Sequence, residues 1–256
     1  MRHAVIALVT LAGILFQAGC NSDPYARHKL GPAREVVAAS IDAIGGLNAW
    51  QQVDKVYATA VVAFYQPSGQ ADIDRLAITM DFKAGTITAE GLTPEGSWMA
   101  TVTRKGDCTI QGARSKESVC QELMMVLHRC AGPLNMVMGD ERATAVGPAK
   151  IEGVPVVRVG VQGGKDQTRA YYFDATTNLL RFVTCGSDSP GGDGSITVYT
   201  PRESYIMLPN GLVFPRSFRV IKIGSNVLKS DTPVMDVDFS DIRAEKRKGV
   251  YQLLGR

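Results

Sequence analysis

The chain has 256 residues, 45% of them hydrophobic and 21% charged, with a formal net charge of +3. A near-balanced charge of this size argues against a dedicated nucleic-acid binder, which concentrates basic side chains to displace phosphate counterions. Five cysteines and three histidines, with no Cys-x-x-Cys, leave no familiar zinc ligand set, and no cofactor is expected.

The first element is Met1-Arg2-His3 followed by an apolar run from Ala4 to Phe16 whose only polar side chain is Thr10. That is the layout of a secretory leader. The run falls well short of the ~20 apolar residues that a membrane-crossing helix needs. It ends at Gln17-Ala18-Gly19-Cys20, and the polar stretch Asn21-Ser22-Asp23-Pro24 follows. Ala18, Gly19 and Cys20 resemble the bacterial lipoprotein signal, in which two small residues precede a cysteine that receives lipid when the leader is removed. Gln17 stands where that family usually has Leu. The resemblance implies a leader at 1–19, lipidation at Cys20, a tether at 20–32 and one domain at 33–256. Several acyl chains, at about 0.8 kcal/mol per buried methylene, would hold the tether to a membrane. In enterobacterial lipoproteins an Asp after the cysteine marks inner-membrane retention; Asn21 here implies the outer membrane, facing the periplasm. Removing 1–19 takes away one charged side chain, Arg2, and leaves 27 basic against 25 acidic residues.

After the tether, Pro32 to Ile44 reads as a helix. Pro32 suits its first turn, Val37, Ile41 and Ile44 fall at i, i+4 and i+7, and Gly45-Gly46 stops it. Leu47 to Val53, with Trp50, adds a short second helix. The period then changes to two: Leu76, Ile78, Met80 and Phe82 alternate with Ala77, Thr79, Asp81 and Lys83, the pattern of a strand with one buried face. Strands are predicted at 54–65, 76–83, 85–91, 97–104, 107–111, 154–162, 169–174, 179–185, 195–206, 212–223 and 235–240. Turn residues at Lys105-Gly106-Asp107, Asp174 to Asn178 and Pro209-Asn210-Gly211 separate several of them. One amphipathic helix interrupts the series, capped by Ser115, running over 116–130 and ending at Gly132-Pro133. The fold class is therefore mainly β with some helix: a large antiparallel sheet with an amphipathic helix against one face.

Cys108, Cys120, Cys130 and Cys185 are an even set in an exported chain and are compatible with two disulfides in three pairings, Cys108–Cys120 being the favoured single bridge. No catalytic motif stands out: there is no Gly-x-Ser-x-Gly, no His-Glu-x-x-His and no phosphate-binding Gly-x-x-x-x-Gly-Lys. Past the leader only His28 and His128 remain, the first in the tether and the second expected as a partly exposed structural residue. Asp72 with Asp74, and Asp236 with Asp238, read as outer faces of strands. The chain is expected not to be an enzyme.

The order of elements is similar to the LolA and LolB family of periplasmic lipoprotein carriers and receptors and their lipid-binding relatives. The likeness rests on Ala43-Ile44-Gly45-Gly46-Leu47-Asn48-Ala49-Trp50 leading into the first strand, on Tyr171-Tyr172-Phe173-Asp174 with Asn178-Leu179-Leu180-Arg181, on Asn210-Gly211-Leu212 with Pro215, and on Val237-Asp238-Phe239. These pieces lie within residues 33 to 242. The resemblance implies an unclosed barrel whose apolar concave face, covered by helices, accommodates acyl chains. The four cysteines and the Gly-, Ser- and Asp-rich stretch Gly186 to Gly194 depart from the family pattern. Anchoring at Cys20 implies a fixed receptor rather than a diffusing carrier. On that reading Val62, Phe64, Leu76, Ile78, Met80, Phe82 and Trp98 line the concave side, with Leu123, Met124 and Leu127 on a covering helix, and the ligand is a lipid or the acyl part of a lipoprotein. The other reading is a scaffold or stress-sensing protein that binds another envelope protein.

Overall fold

A computed structural model describes residues 23–26, 28, 30–66, 68–112, 116–139, 141–151, 153–162, 168–185, 195–201, 204–223 and 233–246. The leader, Cys20, Ser115 and the 186–194 stretch lie outside the described residues. A 3-10 turn at Gly31–Ala33 opens α1 (Arg34–Ala43), and α2 (Leu47–Gln51) follows. Val37, Ile41 and Ile44 are buried on one side, as their spacing predicts. Gly45 and Gly46 take φ of 112° and 86°, and the Gly46 amide donates back to the Ile41 carbonyl at 2.9 Å. A glycine fits here because other residues rarely enter that part of backbone space.

The strands are β1 (Val53–Tyr65), β2 (Ala71–Asp81), β3 (Thr86–Thr93), β4 (Gly96–Thr103), β5 (Cys108–Gly112), β6 (Arg142–Ile151), β7 (Val154–Gln162), β8 (Thr168–Asp174), β9 (Leu180–Cys185), β10 (Ser195–Tyr199), β11 (Tyr205–Met207), β12 (Val213–Pro215), β13 (Ser217–Ile223) and β14 (Pro233–Lys246). Twelve of them make one antiparallel sheet in the order β5-β4-β3-β2-β1-β14-β13-β10-β9-β8-β7-β6, while β11 and β12 form a separate ribbon. The sheet does not close, since β5 and β6 are its two edges. The last strand, β14, sits at its centre between β1 and β13. Alternate residues face inward: Val56, Ala58, Ala60 and Val62 from β1, Leu76, Ile78 and Met80 from β2, and Trp98, Ala100 and Val102 from β4 are all buried.

Several boundaries differ from the sequence reading, each for a local reason. β6 was not expected, because Arg142 to Ile151 holds Gly147 and Pro148 and few branched apolar residues. Pro148 cannot donate to a ladder, and an edge strand is where that is tolerated. The 195–206 segment is not one strand: β10 ends at Tyr199, the Thr200 amide turns to the Arg181 carbonyl at 2.9 Å, and Pro201 follows. The 212–223 segment breaks into β12 and β13 at Arg216, after Pro215.

The long helix α3 (Lys116–Met138) does not stop at Gly132-Pro133. Gly132 leaves helical geometry at φ 22° and ψ −109°, and Pro133 starts a second helical segment, where its missing N–H costs nothing. Leu134, Met136 and Val137 carry burial onward. Cys108 in β5 is joined to Cys120 in α3 by a disulfide, as favoured from sequence. Cys130 is free and buried, so the expected second bridge is not made. Burial pushes its thiol up to about 12, which keeps it protonated.

Candidate functional site

The concave face and α3 enclose one apolar cavity. From β1 come Ala60, Val62 and Phe64, from β2 Leu76 and Ile78, from β4 Trp98, and from β14 Met235, Val237 and Phe239. The helix supplies Val119, Glu122, Leu123 and Val126. The alternation of strands and the 3.6-residue period of the helix bring these residues together. Trp98 is set by its cross-strand partner Gly91: a Cβ on Gly91 would lie 2.6 Å from the indole. Only a glycine lets the ring lie there.

Of the ten residues expected to line a cleft, Val62, Phe64, Leu76, Ile78, Trp98 and Leu123 do so. Met80, Phe82 and Leu127 are buried elsewhere in the core, and Phe82 meets Trp50 edge-on at 5.2 Å. Met124 is half-buried on α3 and packs against the core. Val119, Val126 and the β14 residues Met235, Val237 and Phe239 also line the cavity and were not among the residues expected at the cleft. The alternation in β14 was visible, but nothing in the chain marked that its last described strand lies beside its first. The free space inside the cavity is about 10 Å³. That is room for one water at most, so the walls are in contact and an acyl chain enters only if α3 and the sheet separate.

The other end of the concave face is polar. Arg104, at the end of β4, donates from Nε to Asn135 Oδ1 at 3.0 Å, from Nη1 to the Met138 carbonyl at 3.2 Å and from Nη2 to the Phe82 carbonyl at 2.8 Å. The cation thereby satisfies a carbonyl at the C-terminus of α3, where the helix dipole favours positive charge. His128 is 1% exposed, not partly exposed as expected. Arg169 Nη1 donates to its Nε2 at 2.7 Å, which puts the imidazole proton on Nδ1, facing Glu141 Oε1 at 3.9 Å. Arg169 Nη2 also donates to Glu141 at 2.8 Å, and the Tyr171 hydroxyl does so at 3.2 Å.

Burial, with Arg169 and Arg104 adding like charge, holds His128 well below its ordinary value, so the ring is neutral. Burial also raises Glu141, against the pull of Arg169. Of this cluster His128 was expected only as a partly exposed structural residue, and Arg104, Glu141 and Arg169 were not singled out. Arg169 keeps the phase of Tyr171 and Phe173 in β8, which was the one available signal that it points inward.

No family model and no curated protein sequence matches the chain. Solved structures do match, and two of them carry the comparison. A LolA superfamily protein from Nitrosomonas europaea superposes with a TM-score of 0.56 at 13% identity, over 84% of this chain and 94% of that one. A domain described as an outer membrane lipoprotein-sorting protein, from Vibrio parahaemolyticus, gives 0.51 at 10% identity, over 85% and 93%. The chain has the LolA-like fold. The unclosed sheet with a helix across its concave side is what the LolA-like resemblance implied, and at these identities the likeness concerns the fold alone.

Among the described residues no helix is long and apolar enough to cross a membrane, and no three or more His, Cys, Asp or Glu side chains cluster to hold a metal.

Proposed function

We propose that this is a non-enzymatic envelope lipoprotein, fixed to the outer membrane through lipidated Cys20, that binds a lipid or the acyl part of a lipoprotein between α3 and the concave sheet. The observation that carries the reading is the cavity itself, whose walls are apolar side chains with Glu122 the only charged residue among them. Each methylene moved there from water gains about 0.8 kcal/mol, which offsets the cost of parting α3 from the sheet. The LolA-like fold supports the same reading, since one matched structure is described as a LolA superfamily protein and the other as an outer membrane lipoprotein-sorting protein domain.

The test is to purify the protein from Asn21 onward and analyse its organic extract by mass spectrometry, alongside titration with a fluorescent acyl probe. Co-purified lipid or saturable probe binding is the expected result; neither would overturn the reading. Anchoring is tested separately, by labelling with a palmitate analogue that Cys20→Ala should abolish.

A second reading, a scaffold or sensor that binds another envelope protein, is favoured by the near absence of free space in the cavity. It predicts no acyl binding and an unchanged cavity in the partner complex.

A further inference from the structure

The cavity is shut by a covalent bond as well as by packing. Its free space is about 10 Å³, so a chain enters only when α3 leaves the sheet. The Cys108–Cys120 disulfide joins those two walls. Cys120 lies in the turn of α3 that supplies Val119, Glu122 and Leu123 to the cavity. Cys108 opens the edge strand β5 and pairs with Val102 of β4, the strand that carries Trp98. The bond holds the Cα atoms of helix and sheet edge 5.9 Å apart.

The lining stretch of α3 is thus held at both ends. Past it, Arg169 Nη1 donates to His128 at 2.7 Å, and Arg104 donates to Asn135 and to the Met138 carbonyl. Between the two ends Val119, Leu123 and Val126 face the sheet with apolar side chains, whose contacts are non-directional and re-form around a guest. A helix fixed at both ends can only bow; freed at Cys120, it can tilt about its polar end. From His128 to Val119 the rise is about 14 Å, so a tilt of under about 20° lifts Val119 by the ~4 Å that one further layer of carbon atoms needs.

The bridge is also open to attack. Cys108 and Cys120 are both half-buried, and Cys108 follows the exposed turn Lys105-Gly106-Asp107. Cys130 is buried, and burial pushes its thiol up to about 12. It therefore offers no thiolate to the bridge, which is left to an external one.

Building on the acyl-binding reading above, we propose that Cys108–Cys120 is a redox gate on the cavity. Closed, it clamps α3 to the edge of the sheet; reduced by a dithiol, it lets Val119 and Leu123 lift and an acyl chain enter. One thiolate of the dithiol attacks one sulfur of the bridge and expels the other cysteine. The dithiol's second thiolate then attacks its own partner sulfur and releases the remaining cysteine. Two electrons and two protons pass to Cys108 and Cys120, which end as thiols, and the dithiol ends as a disulfide.

The experiment follows uptake of a fluorescent acyl probe by stopped flow, in the oxidised protein, after reduction by excess dithiothreitol, and in Cys108→Ala/Cys120→Ala. The reduced protein and the double variant are expected to take up the probe at least about tenfold faster than the oxidised one, a barrier lower by about 1.4 kcal/mol. Leu127→Ala, which is destabilised with the bridge intact, should stay slow; equal acceleration there would assign the effect to lost stability and overturn the gate. Should the double variant fail to fold, the return of the slow rate on reoxidation of the reduced wild type decides. Equal rates before and after reduction, or a bridge that stays oxidised in excess dithiothreitol, would overturn the gate while leaving acyl binding intact. Probe binding in neither state would overturn both.

Discussion

The two halves of α3 rest on the same concave sheet but are held by different forces. Up to Leu127 the helix lies on apolar side chains, Val62, Leu76 and Trp98 among them, and its one covalent tie is Cys108–Cys120. From His128 to Met138 it is fixed by oriented polar contacts: Arg169 on His128, Arg129 on Leu180 and Tyr205, and Arg104 on Asn135 and Met138. Apolar contact is non-directional and re-forms around a guest of similar polarity. A buried hydrogen-bonded ion network does not, because shifting it leaves unsatisfied charge. The first half is thus the part that can separate from the sheet, and the second is its fixed end.

The strongest way to break this contrast is at Arg169. Arg169→Ala leaves Glu141 buried with only Tyr171 as a donor, and should cost about 3–5 kcal/mol in urea unfolding. Adding Glu141→Gln to it should recover part of the loss, because the orphaned charge is then gone. A loss below about 1 kcal/mol would show that the polar end is not what fixes the helix.

Leu123→Ala probes the other half and should cost about 3 kcal/mol, through lost burial and the cavity left behind. Leu127→Ala, at a core position outside the cavity, should cost about the same. The two differ in rescue: an acyl probe in excess should raise the melting temperature of Leu123→Ala and leave that of Leu127→Ala where it was. Equal rescue would remove the distinction between cavity and core.

The apolar half was far more legible in the sequence than the polar one. Alternation in 76–83 and the helical stripe through Val119 and Leu123 follow from periods of two and 3.6, which survive in the chain as pattern. Leu76, Ile78 and Leu123 could therefore be placed on an inner face, but not whether Met80, on the same face, would meet a cavity or a packed core. His128, Glu141 and Arg169 are 13 to 41 residues apart and meet only because β8 runs beneath α3. Arginine is nearly always at the surface, so nothing in composition marks a buried one. The kink at Gly132-Pro133 misled for a related reason: the pair that ends most helices here restarts one.

The disulfide sharpens the comparison within α3 itself. The bridge spans 12 residues, and removing it by Cys108→Ala with Cys120→Ala should cost about 2–3 kcal/mol from the larger conformational freedom of the unfolded chain. Hydrogen exchange locates the effect. Faster exchange is expected over 119–127, with 134–138 unchanged, since the polar contacts there do not depend on the bridge. Equal acceleration along the whole helix would mean that the two halves move together.

The smallest expected effect is that of pH. His128 has its folded pKa depressed below the unfolded value of 6.5, by burial first and then by Arg169 and Arg104. Below pH 6.5 the unfolded chain takes up a proton that the folded one refuses. Stability contributed by neutral His128 is therefore complete above that value and lost as pH falls below it. Glu141 acts in the opposite sense: its raised folded pKa favours the folded state on acidification, and that contribution is lost as pH rises through the folded value. Comparison with His128→Gln isolates the imidazole, because Glu141 is common to both proteins. From pH 7.5 to 5.5 the wild type should lose on the order of 1 kcal/mol relative to the variant, read from urea midpoints at each pH. The acyl probe should meanwhile bind both proteins alike, since His128 lies outside the cavity wall. A pH-independent difference would mean that His128 accepts its proton in the folded protein, and that the polar end of α3 yields as readily as the apolar one.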